Sequence, residues 1–400
     1  MAKPLFGLKV LDLTRVQQGP QATGLLCDLG ADVIKVEDPA GGDQGRGAGR
    51  VEDRHHYGTL FLIYNRGKRD IAVDLKSAEG REIIYRLAAG VDIIAHNFRP
   101  GVMERLGFGF DKLKEINPTI VYAEANGLGS AGPRAGLPVF DLLGQAASGL
   151  VSVNGTEKDP VQVGAFVADA GGAAMFTSAI LAGVVARQLS GRAQRVEVSE
   201  LGSMIALQGW ELTYFAQKGE HVHAWPGDAN PKKWFSGVFK TADGHIAISN
   251  LGRKAEWPAL AEAFDVVASA ADERFRSQEA RTRSVDALTA LLKAALLKRT
   301  SVQWMERLVP LAVCCHPVAT YGEVMEDPQA LANGYVVEID HPERGKLRAV
   351  GCPIKFAGLP LPLPPTCPEV GEHTDEILAE IGYSPEEIAL LKSAKTVLSS

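Results

Sequence analysis

Four groups of residues in this 400-residue chain are of types that do chemistry. Cys314, Cys315 and His316 offer a thiol beside an imidazole. Neighbours along a strand or loop point apart, whereas a catalytic Cys–His pair meets across the fold, so packing is the expected role. His221 and His223, two apart, suit one face of a strand. No Cys or carboxylate cluster beside them completes a four-ligand set, so no metal site is expected. The stretch AGGDQGRGAG (40–49) has the glycine content of a phosphate cradle. No GxGxxG joins the first strand pattern to its helix and no GxxxxGK[ST] occurs, which argues against nicotinamide and P-loop nucleotides and leaves a mobile surface loop. The fourth is Asp169, the one charged residue of VGAFVADAGGAAMFTSAILAGVVARQ (163–188) before its last turn. An Asp at a helix start is most simply an N-cap. Its neighbours Ala168, Ala170, Gly171 and Gly172 leave room for a bulky reactant, and a helix N-terminus favours the ionised carboxylate that a nucleophile needs. Spacing leaves both roles open.

The elements that must position these residues alternate along the first half. Apolar strand patterns at 8–14, 31–37, 69–75, 91–97, 119–126 and 195–200 are separated by helical ones. Pro20 suits the first turn of the first helix, Gly30 its C-terminal end, and Ser77 caps a helix before 91. Such alternation predicts βαβ units in a doubly wound parallel sheet, with ligands beyond the carboxyl ends of the strands. A core helix, apolar nearly all round, is expected over 170–186. Between 219 and 236 the texture changes to a Gly-, Pro-, His- and Trp-rich linker. A second α/β unit follows over 237–325, opening with a hairpin around Ala242–Gly244 and continuing with helices over 255–308. Strands return after Asp327, then an extended proline segment, and the helix GEHTDEILAEIG closes the chain.

Composition bounds the function. A length of 400 residues suggests two domains, and 46% hydrophobic with 22% charged residues is that of an ordinary globular enzyme. A net charge of −6 carries no basic footprint for nucleic acid. Five cysteines, odd in number and without metal-type spacing, fit a reducing cytoplasm. No signal core is read at the N-terminus, and no apolar run of membrane length is read anywhere.

Several blocks in order then carry a resemblance: LKVLDLTRVQQGPQATGLLCDLGADVIKVEDPAGGDQGR, YNRGKRDIAVDLKSAEGREIIYRL, NFRPGVMERLGFGFDKLKEINPTIVYA and GEHTDEIL. The chain resembles the class III CoA-transferases, the CaiB/BaiF family that includes formyl-CoA transferase-like enzymes. The likeness is strongest over 6–125 and 160–205 and weaker over 219–310. It implies an α/β fold with a Rossmann-like large domain built from 1–218 and 326–400, a linker at 219–236, and a smaller inserted α/β domain at 237–325. It also implies an interlocked homodimer, or a heteromer with a homologous subunit. Asp169 becomes the nucleophile that attacks an acyl-CoA thioester, without metal, ATP or a resident cofactor. CoA-contacting positions carried over are Gln17, Gln18, Val73, Asp74, Leu75, Lys76, Asn97, Phe98, Arg99, Arg105, Leu137, Pro138, Val139 and Phe140. Of these, Lys76, Arg99 and Arg105 are candidates for the phosphates.

Three departures refine the expectation. Family members often carry Arg after KVE, where this chain has Asp38, which weakens a phosphate contact there. The related α-methylacyl-CoA racemases place a His base before the Asp of a GHD segment. Here Phe140 precedes Asp141, and Phe moves no proton, so the racemase alternative is disfavoured. Formyl-CoA:oxalate transferases carry a glycine-rich loop where this chain has PGDANPKKWFSG, so oxalate is not favoured. Trp225, Trp234 and Phe235 would suit a larger or aromatic acid. A CoA-binding but silent partner subunit is the non-enzymatic alternative.

Overall fold

The computed structural model describes residues 3–48, 57–156, 158–221, 236–250, 256–341, 345–364 and 366–399. The chain divides into two compact units, one of Met1–Val151, Gln162–Gly209 and Pro328–Ser400, the other of Ser152–Val161 and Trp210–Asp327.

In the larger unit, β1 (Lys9–Asp12), β2 (Asp32–Glu37), β3 (Arg69–Val73), β4 (Ile93–His96), β5 (Val121–Asn126) and β6 (Gln194–Ser199) are parallel. Helix α1 (Gln18–Asp28) joins β1 to β2, α2 (Thr59–Asn65) precedes β3, and α3 (Ala78–Gly90) joins β3 to β4. Side chains alternate faces along each strand. Leu11, Ile34, Ile71 and Ile94 enter one core with α3, while Val10, Val33, Ile93 and Val121 enter another with α1 and the Val167–Ser190 helix. Ser77 caps α3, its Oγ accepting from Gly80 N at 2.9 Å, as its sequence position requires. The order β3-β2-β1-β4-β5-β6 reverses direction between β1 and β4, which opens a crevice beyond their carboxyl ends.

The chain does not close on GEHTDEILAEIG. The helix Thr374–Glu380 is followed by a second one, Pro385–Ser393, and by a final short strand at Val397–Leu398 that adds antiparallel to β3. Val397 is buried in the β3 side of the core, and two residues are too short a signal to read as a strand. The apolar helix is also longer than its sequence pattern suggested. Val167–Ser190 is long and apolar enough to cross a membrane. It lies instead on the sheet, with Ala173, Phe176 and Ile180 buried, because Gly183 lets it approach Val121.

In the smaller unit, β7 (Gly237–Lys240), β8 (His245–Asn250) and β9 (Cys314–Pro317) form an antiparallel sheet, β7 and β8 being the expected hairpin. Helices Trp257–Ala263, Gln278–Arg283, Val285–Leu296 and Ser301–Leu308 enclose a core of Ile246, Trp257, Phe264, Leu292 and Trp304. After this unit the chain forms a hairpin of β10 (Val336–His341) and β11 (Gly345–Val350), and β12 is the Val397–Leu398 strand.

Candidate active site

The segment 40–49 is exposed at Ala40, Gly41, Gln44 and Gly47, but it is anchored rather than free as far as it is described. Asp43 and Arg46 are buried, each paired with an opposite charge from β2. Lys35 donates to Asp43 Oδ2 at 2.9 Å and to the Thr14 carbonyl at 2.8 Å. Arg46 pairs with Glu37, its Nε 2.9 Å from Oε2, and also donates to the Pro368 carbonyl. Asp12, fully buried at the end of β1, accepts from Thr14, Thr23 and Lys68, the last at 2.9 Å. Burial would raise the Asp12 carboxyl, but the charges of Lys68 and Lys35 hold it near 2.

This network fixes the turn that follows β1. Val16 N donates to Asp43 Oδ1, and Asn97, just beyond β4, both accepts from Arg15 N and donates to the Arg15 carbonyl. Val16 is held at φ 67°, a strained conformation for a β-branched residue that persists only where its surroundings impose it. Gly19 is required here, since a Cβ would lie 2.3 Å from Thr14. The turn thereby presents Gln17, Gln18 and the first N–H groups of α1 to the crevice.

Asp169 does not cap its own helix. The helix begins at Val167, and its free N–H groups are taken by Asp141, whose Oδ1 accepts from Ala168 N at 2.7 Å and Asp169 N at 3.1 Å. Gln145, one turn along the Asp141–Ala147 helix, steadies this cap by donating to Asp141 Oδ2 and accepting from Val163 N. The Asp169 carboxylate, released from capping, instead lies near the backbone N–H of Gln18 at the start of α1, which acts to lower its pKa.

The electrostatics also differ from the expectation of a readily ionised group. Burial, then the Asp141 carboxylate, push Asp169 up to about 6, and the Gln18 N–H only partly offsets them. Glu200, first residue of the Glu200–Leu207 helix that Ser199 caps, is pushed up to about 8 by burial and by the charges of Asp169 and Asp141. Its Oε2 is buried and has no hydrogen-bond partner. The small residues around Asp169 are largely spent on packing. A Cβ on Gly172 would meet Gln18 Nε2 at 2.4 Å, and one on Gly171 would meet Met204 at 2.6 Å.

These groups line a cleft of about 330 Å³. The structure brings Gln17, Gln18, Asn97, Phe98, Arg99, Leu137, Pro138, Val139 and Phe140 together with Asp169 there. Arg15, whose guanidinium lies 4.8 Å from the Phe98 ring centroid, and Glu200 join them without having been singled out in the sequence. Val73, Asp74, Leu75, Lys76 and Arg105 do not line the cleft. The Val73 side chain is buried in the core, so no ligand reaches it. Asp74 organises the turn after β3, accepting from Lys76 N, while Lys76 and Arg105 are exposed. Asp38 likewise builds a turn, accepting from Ala40 N.

None of Cys314, Cys315, His316 and His221 lines this cleft. Cys314 to His316 lie in β9 of the smaller unit, with Cys314 exposed and burial raising the Cys315 thiol. Among the described residues no cluster of His, Cys, Asp and Glu is arranged to hold a metal. His223, Trp225, Trp234 and Phe235, with the loop that bears on oxalate, lie outside the described residues.

The chain belongs to CoA-transferase family III, whose family model matches residues 5–374. It is 33% identical to a formyl-CoA:oxalate CoA-transferase of Streptomyces coelicolor over 99% of this chain and 100% of that one. It is 31% identical to the succinyl-CoA:glutarate CoA-transferase of Homo sapiens, over 99% of this chain and 90% of the human one. Among solved structures, a CaiB/BaiF family protein from Brucella suis superposes with a TM-score of 0.86 at 31% identity, covering 95% of this chain and all of that one. The protein is thus an enzyme that transfers CoA, with CoA thioesters as substrates.

Proposed function

We propose that this enzyme moves CoA between two carboxylic acids by covalent relay through Asp169. The observation that carries the reading is the position of Asp169 in the cleft, at the N-terminus of α1 and with its own helix capped by another residue. Asp169 attacks the donor thioester carbonyl, forming a mixed anhydride and releasing CoA thiolate. The thiolate attacks the aspartyl carbonyl, giving an aspartyl-CoA thioester and the free donor acid. The acceptor carboxylate then attacks the aspartyl-CoA thioester, forming a second anhydride and expelling CoA thiolate, which attacks the acceptor's acyl carbonyl and returns Asp169 unchanged. Each step exchanges one carbonyl-bound leaving group for another, so no external energy source enters.

Each tetrahedral oxyanion needs a donor, and Gln18 is suited to supply one. Its side-chain Nε2 is buried without a partner beside Gly172, and Gln17 stands next to it. The CoA chain follows Asn97–Arg99 and Leu137–Phe140 through the cleft. Its nucleotide end extends toward exposed Lys76 and Arg105, with Asp74 and Leu75 at the β3 end of the same sheet edge and Val73 contributing backbone only. Phe140 faces the cleft where a racemase would need a base, which favours transfer over epimerisation. The interlocked dimer and the two-domain division at 218 and 326 belong to the same proposal. Five free cysteines are consistent with a reducing cytoplasm.

The relatives' names span oxalate and glutarate, so the acids are identified by assay. Formyl-CoA with oxalate, succinyl-CoA with glutarate, and aryl-CoA donors with aromatic acids are compared. Transfer with at least one pair, lost in Asp169→Asn while CoA binding by calorimetry is kept, is the expected result. Undiminished transfer by Asp169→Asn would overturn the relay.

A further inference from the structure

We propose that Glu200 is a second working carboxyl group of the cleft, donating a hydrogen bond to the reacting carbonyl oxygen while Asp169 attacks its carbon. The inference rests on the relay reading and adds to it a residue with no mark in the sequence. Glu200 lines the same cleft as Asp169 and is about 5% exposed, with Oε2 buried and unpartnered. A Cβ placed on Gly144 would lie 2.7 Å from that oxygen and 2.9 Å from the Ala168 Cβ. The Glu200 carboxyl therefore lies against Gly144 and near the first turn of the long helix, close enough to Asp169 for its charge to be felt. A buried, unpaired polar atom at this depth costs stability unless something occupies it. Oε2 is closed off from the cleft, so it is the other carboxyl oxygen of Glu200 that would meet a reacting carbonyl there.

The charges facing Glu200 decide its form. Asp169 comes from the long helix and Asp141 from the Asp141–Ala147 helix, both carboxylates. The Glu200–Leu207 helix carries no other charge. On β6, Arg195 is bound to Glu124, and Glu197 accepts from Asn126 and Ser130. Arg15 and Arg99 line the wider cleft, and no ion pair joins either to Glu200 among the described residues. Burial and two neighbouring carboxylates thus keep Glu200 protonated at neutral pH, with an apparent value of about 8, while Asp169 at about 6 is ionised. Two carboxyl groups pushed apart in this way divide into attacking base and neutral donor. The proton stays on Glu200 as the tetrahedral oxyanion forms and collapses, so no net proton transfer accompanies the step.

The test is the pH dependence of kcat for the wild type, Glu200→Gln and Glu200→Leu, with an infrared titration of carboxyl groups in the free enzyme. Glu200→Gln keeps a donor that does not ionise. It should keep a kcat at pH 7 well above that of Glu200→Leu and lose the alkaline fall near pH 8. Glu200→Leu should lose about 10²-fold in kcat, the usual effect of removing one oxyanion donor, with KM little changed. The infrared band of a protonated carboxyl titrating near pH 8 should be present in the wild type and absent from Glu200→Gln. An unchanged alkaline limb in Glu200→Gln, wild-type kcat in Glu200→Leu, or no such band would each overturn the proposal. The infrared arm does not depend on turnover. An enzyme with this band but no Asp169 adduct would mean that the relay had failed, rather than the Glu200 assignment.

Discussion

Two sets of buried carboxyl groups lie at the carboxyl edge of one sheet, and they behave oppositely. Beneath β1 to β3, Asp12, Glu37 and Asp43 each meet a cation in Lys68, Arg46 and Lys35. There the cations overcome burial, and Asp12 and Glu37 are held near 2. Asp70 is the informative exception, since burial and the Glu37 charge push it up, and Gly371 N supplies one hydrogen bond. In the cleft, Asp141, Asp169 and Glu200 share their surroundings with one another, and Asp169 and Glu200 are both raised. Burial is common to the two sets. What separates framework from chemistry is whether a cation was buried with the carboxylate.

The sharpest way to break this comparison is to remove the reactive member. Asp169→Asn should lower kcat by at least about 10³-fold, the scale seen when a covalent nucleophile is lost, with denaturant stability unchanged or slightly raised. On the framework side the effect should reverse. Lys68→Met strands Asp12 in the core and should cost about 3–5 kcal/mol in urea unfolding. Asp141→Asn sits between the two. It should cost about 1 kcal/mol through a weakened cap, and should move the acidic limb of kcat below pH 6 by removing a like charge from Asp169.

A separate effect is on stability against pH. Asp12 and Glu37 have lowered values, so their contribution is present above the ordinary carboxylate range and is lost as pH falls from about 4 to 2. Glu200 is raised, so its folded state binds the extra proton and stability declines as pH rises from about 4.5 to 8. Glu200→Gln should therefore raise Tm at pH 8.5 relative to the wild type and leave it nearly equal at pH 4.5.

The same contrast explains what the sequence disclosed. Strands β1 to β5 were legible because burial on both faces writes apolar runs, β6 because Val196 and Val198 alternate with polar residues, and Ser77 because a cap acts on residues three positions away. Asp141 was not legible as a cap, since the N–H groups it serves are 27 and 28 positions distant. Asp43 and Arg46 looked like loop residues because their partners, Lys35 and Glu37, lie in a strand that reads as apolar overall. Glu200 bore no signal, its neighbours Asp141 and Asp169 being far away in the chain. Asp169 itself stood out by isolation, but its role came from resemblance across many blocks.

The central claim, that Asp169 is the carboxylate left free to react, is tested most directly by covalent trapping. The enzyme is mixed with its most active acyl-CoA without acceptor, quenched with hydroxylamine, digested and mapped by mass spectrometry. The account predicts a hydroxamate on Asp169, absent from Asp169→Asn, with Asp141 and Glu200 unmodified. An enzyme that turns over while Asp169 remains unmodified, or a label on Glu200 in its place, would contradict it.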